Sequence, residues 1–73
     1  MLDDNTRWLL SFYRTSEIGG ALFFGQLARS TRCAGMQQAL TAHFADEAQH
    51  ARYWTDCLAS LGAEPLRLGD SYQ

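Results

Sequence analysis

Three side chains stand out for the chemistry they could do together. Glu17 falls in one apolar stripe, and Glu47 and His50, three residues apart, fall in a second. Two carboxylates and an imidazole are ligands that suit Fe(II), Mn(II) or Zn(II). Burying ionised carboxylates without partners is costly and drives them to take up protons, so a stripe that carries two of them calls for a compensating cation. The plainer reading of the same residues is a metal-free polar layer that fixes the register of a helical bundle. Three neighbours could support the set. Asp46, four residues before His50, could hold its free ring nitrogen, or be a solvated helix charge. His43, one turn before Glu47, could be an extra ligand, though a hydrogen-bonded core histidine is the commoner role. Tyr13, one turn before Glu17, could bond a ligand carboxylate, although packing with a satisfied hydroxyl is more usual for such a residue.

These positions depend on two helices. Leu10, Tyr13, Gly20, Phe24 and Leu27 recur at helical steps in a proline-free stretch from Asn5 to Ser30, which predicts a first helix capped by Asp3, Asp4 or Asn5. Met36, Leu40, His43, Glu47, His50, Trp54, Cys57 and Leu61 form the inward line of a second helix from about Ala34 to Leu61, ended by Gly62. Ser30-Thr31-Arg32-Cys33 leaves room for a short turn, so the fold class is all-α, an antiparallel two-helix hairpin. Glu17 and Glu47 are equally far from Arg32 in sequence, which sets them level across the pair, and the same counting puts Gly20 opposite Phe44. Leu9, Phe12 and Phe23 lie off the first seam, while Phe44, Ala51 and Leu58 widen the second. A stripe that wide favours self-association into four helices. Two hairpins about a twofold axis bring together four carboxylates and two imidazoles, the ligand set of di-iron and di-manganese bundles.

Glu17 followed by Glu47-Ala48-Gln49-His50 resembles the Glu then Glu-x-x-His signature of the ferritin and rubrerythrin superfamily, over both helices. The gap between the glutamates and the two-helix length resemble the encapsulated ferritins most, in which one two-helix subunit completes another across the metal site; the chain equally resembles the first half of a larger ferritin-like domain. The resemblance implies a homodimer or higher homo-oligomer in a ferritin-like four-helix bundle with two iron ions per dimer, Mn or Zn being alternatives. It implies Glu17 and His50 as terminal ligands, Glu47 as the bridge, and ferroxidase activity with oxygen or peroxide as oxidant. Outside the resemblance, a single zinc held by His43, Glu47 and His50 along one helix remains an alternative.

Composition bounds the rest. A chain of 73 residues has little core of its own and calls for outside help from metal or oligomerisation. Cys33 and Cys57 are about 36 Å apart by helical rise, too far to bridge, and with no secretory signal the expected compartment is reducing and cytoplasmic. The longest nearly apolar stretch, Ile18 to Gly25, is too short for a bilayer. Six scattered arginines, no lysine and a net charge of −2 argue against a nucleic-acid partner. The expected division is a hairpin over 1–62 and a tail or linker over 63–73. Within that tail, Leu66-Arg67-Leu68-Gly69 resembles the short apolar-glycine peptides by which cargo docks inside protein compartments, although a loose terminus accounts for it as well.

Overall fold

The structure, a computed structural model, describes residues 2–68, and among them are two α-helices and no strand. The first, α1 (Asp4–Ser30), starts where Asp3 accepts a hydrogen bond from the Thr6 N–H at 2.7 Å. That bond holds the Asp3 carboxyl below its ordinary value. The last turn closes with Thr31 in an extended conformation, its N–H bonded to the Leu27 carbonyl. The second, α2 (Ala34–Ser60), begins without a side-chain cap at Cys33 and stops at Leu61 and Gly62. Gly62 has φ +75°, a left-handed conformation that glycine takes without steric cost. No helix among the described residues is long and apolar enough to cross a membrane.

The helices lie alongside each other, and α2 descends as α1 ascends: Tyr13 meets Trp54, Glu17 meets His50, and Phe24 meets His43. The order agrees with the sequence reading, but the register differs from it by about one helical turn. Glu17 lies level with His50 rather than Glu47, and Gly20 lies against Glu47, whereas Phe44 lies against Gly25. The turn explains the displacement. Gln37, in the first turn of α2, donates from Nε2 to the Thr31 carbonyl at 2.8 Å, so that turn rounds the corner instead of pairing with α1.

The buried seam also differs from the inward line read from the sequence. It consists of Ser11 and Ala21 on α1 with Leu40, Ala51 and Leu58 on α2, while Met36, His43, His50 and Leu61 are exposed. Small residues bring two helices close, and bulky rings are left to the margins of the seam. The helical lines of Glu17 and His50 also carry Tyr13, Leu27, Met36 and Leu61, all exposed, and Phe23 and Tyr53 on the adjacent positions are 60% and 63% exposed. After Gly62 the chain returns along α1. Arg7 Nε donates to the Glu64 carbonyl at 2.8 Å, the Leu66 N–H donates to Ser11 Oγ at 2.9 Å, and Leu68 is buried. The remainder of the tail, 69–73, with Gly69 of the docking-like peptide, lies outside the described residues.

The radius of gyration is 14.4 Å, against about 11 Å for a compact chain of this length. Two helices and a strap thus make an elongated body with a narrow core. Leu58 is fully buried, whereas Leu22 is 66% exposed. Leu58→Ala should cost about 2–5 kcal/mol and Leu22→Ala within about 0.5 kcal/mol, read as the shift in urea midpoint at constant slope.

Candidate metal centre

Helical geometry sets Glu17, Gly20 and Phe24 on one line of α1, because residues three and four apart share a face. His50, Glu47 and His43 form the matching line on α2. Packed in opposite directions, the two lines make three rungs. In the first, His50 Nδ1 and Glu17 Oε2 are 3.2 Å apart. In the second, the Glu47 carboxylate lies over Gly20, with Oε2 only 2.8 Å from where a Cβ on that residue would stand. In the third, the rings of Phe24 and His43 stack at 4.9 Å. A turn beyond the first rung, Tyr13 and Trp54 meet at 5.0 Å, so aromatic pairs flank the polar rungs along the axis on both sides.

Glu17, Glu47 and His50 come together: one ligand atom from each lies within 4.8 Å of the others. Ligands about 2.0–2.2 Å from a shared ion sit roughly 3–4 Å apart, so small side-chain rotations bring these three onto one cation. The donor set fits a divalent metal of the iron, manganese or zinc type. One chain offers three donor side chains, and since these cations take four or more ligands, water or a further group would fill the other positions. The His50 side chain is 59% exposed and that of Glu17 27%, so the centre opens on the same margin that carries the unburied rings.

The two carboxylates already disturb each other. A hydrogen bond with Glu17 is the largest influence raising the Glu47 carboxyl above its ordinary value, joined by partial desolvation and by the Glu17 charge; His50 and His43 act in the opposite sense.

The supporting residues fare differently. Tyr13 packs on Trp54 and His43 on Phe24, and His43 is not part of the group whose donor atoms converge. Asp46 is exposed and makes no hydrogen bond to His50 among the described residues; the Nδ1 of that histidine faces Glu17 instead. Gly20 is the contributor that sequence reasoning assigned elsewhere. The signal was present in its position three residues beyond Glu17, but the register needed to pair it with Glu47 was not.

No family model, curated protein or solved structure matches the chain. What the cluster does therefore has to follow from its own side chains.

A raised carboxyl value in the folded chain means that the native state binds more protons than the unfolded one between the ordinary and the raised value. Stability of the metal-free protein then falls as pH rises through that window. Glu17→Ala should return the Glu47 titration toward the ordinary carboxylate range and flatten that part of the pH dependence. Carboxyl-carbon NMR titration in EDTA checks it, and an unmoved Glu47 midpoint contradicts Glu17 as the cause of the raised value.

Proposed function

We propose that two copies of this helical hairpin pair across the margin bearing Glu17, Glu47 and His50, forming a four-helix bundle of the ferritin-like kind. Two divalent metal ions, iron foremost, lie between the copies, and the activity is oxidation of Fe(II) by oxygen or peroxide. The observation that carries the reading is the convergence of two carboxylates and an imidazole within 4.8 Å on a face whose surrounding aromatic and aliphatic side chains are uncovered.

Each part of the chain then has a task. Glu17 and His50 would serve as terminal ligands. Glu47, lying over Gly20 between the helices, would supply the bridging carboxylate, and its counterpart in the second copy would complete the set. Bound iron supplies one-electron chemistry, Fe(II) giving up an electron to the oxidant. The rings of Tyr13 with Trp54 and Phe24 with His43 exclude water above and below once the second copy covers them. Pairing also buries the exposed Leu27, Met36 and Leu61, which contribute about 25 cal/mol for each Å² removed from water.

Two other readings give different outcomes in one experiment. A polar layer that only sets register needs no metal. A single zinc on α2 needs His43, whose ring is stacked on Phe24, and does not need Glu17. Protein purified without chelator should carry about one ion per chain, run as a dimer or larger species, and lose thermal stability in EDTA. Glu17→Ala should lose the metal. No stoichiometric metal in the wild type favours the register layer, and metal retained by Glu17→Ala favours the zinc staple. Dioxygen or peroxide consumption with added Fe(II) reads the activity directly.

A further inference from the structure

Gly19 and Gly20 are adjacent in the middle of α1, where each is unfavourable relative to alanine, yet their surroundings differ. A Cβ on Gly19 meets nothing within 4 Å, whereas one on Gly20 stands 2.8 Å from Glu47 Oε2 and 3.1 Å from its carboxyl carbon. Real Cβ atoms do not approach an oxygen so closely. A Cβ at position 20 therefore requires the Glu47 carboxylate, the far end of a flexible side chain, to leave its place over Gly20.

We infer that Gly20 is the positioning residue of the centre: the missing side chain is the slot in which the Glu47 carboxylate sits between the rung of Glu17 and the rung of Phe24. The assignment deepens the metal reading and rests on it for its function, but the slot itself is a property of the metal-free chain. Two details support it. His50 and His43, the neighbours of Glu47 on its own face of α2, are both engaged across the seam, with Glu17 and Phe24 respectively. Glu47 between them is thus held against α1 at the height of Gly20, which has no Cβ to meet it. The nearby Gly25 contrasts with this. A Cβ there meets Phe44 at 3.4 Å, an ordinary packing contact that asks for no glycine.

Gly19→Ala is the matched control, since it brings the same gain in helix preference with no neighbour to displace. Thermal unfolding in EDTA, with the full chain, should show Gly19→Ala raising Tm by about 4–8 °C and Gly20→Ala failing to do so. In a Glu47→Ala background, where the carboxylate is gone, the two alanines should raise Tm equally. That restored gain is a coupling a purely local helix effect cannot produce. With Fe(II) or Zn(II) as probe, Gly20→Ala should weaken binding by about 10–100-fold, the scale seen when a ligand loses its support, and Gly19→Ala should leave it within about twofold. Equal stabilisation by both alanines in the wild-type background overturns the assignment whatever the metal content, as does wild-type metal affinity in Gly20→Ala. Coupling in the stability cycle with no metal in the wild type upholds the slot and overturns the metal reading alone.

Discussion

Two carboxylates held together on the open side of a helix pair are the constraint from which the rest follows. In water, like charges a few ångströms apart repel by only about 1 kcal/mol; hydrogen bonding with Glu17 and the Glu17 charge push the Glu47 carboxyl above its ordinary value, and His50 lies against Glu17 as a third partner. Covering the same face with apolar surface strengthens every one of these interactions, because the local dielectric falls. A second copy of the chain would gain from burying the exposed rings and lose from burying the acids. Cations reverse the sign of the second effect. Pairing and metal binding are therefore coupled in the proposed assembly, each favouring the other by the same factor.

The helix pair cannot escape that coupling by folding more tightly. Its seam is filled by Ser11, Ala21, Leu40, Ala51 and Leu58, and only Leu58 among the large residues is fully enclosed. The strap from Ala63 to Leu68 closes one end of α1 by way of Arg7 and Ser11 and leaves the centre untouched. Small residues in the seam allow the close approach that puts Gly20 beneath Glu47, and they are the same reason the bulky side chains remain outside. A narrow core and a wide uncovered margin are thus one structural choice seen from two sides.

Local signals were legible in the sequence, and signals that depend on the relation between helices were not. Asp3 as a cap and Gly62 as a left-handed terminator follow from chemistry within a few residues, and both helices end within a residue or two of where the apolar period places them. Glu47 and His50 share a face because three residues is nearly one helical turn. The level at which Glu17 meets them depends on how the chain rounds Thr31 and Gln37, which no periodicity encodes. Counting outward from Arg32 set the partners one turn off, and Gly20 was matched with Phe44 instead of Glu47. The cluster remained recognisable because a turn's displacement on a helix exchanges Glu47 for His50, both of them side chains of metal-ligating type. The seam was read in part: Leu40 on the inward line is buried and Trp54, His50 and His43 meet α1, but Ala51 and Leu58, read as widening the stripe, are the more deeply buried, while Met36 and Leu61 stay exposed.

The direction in which the centre opens bears on where its further ligands come from. This chain presents three donors, and the side chain that carries the imidazole is 59% exposed. Borrowing His43 from the same helix would need its ring to leave Phe24, and the donor atoms that converge do not include it. Reaching Asp46 would turn the coordination away from Glu17, across the outer face of α2. In the proposed assembly the further donors come from a surface with the same three donors and a complementary apolar margin. A twofold-related copy of this chain would supply both at once, because an isologous interface sets each residue near the axis against its own kind, and it would bring Glu47 to Glu47, where the proposed pair of ions calls for a bridging carboxylate from each side.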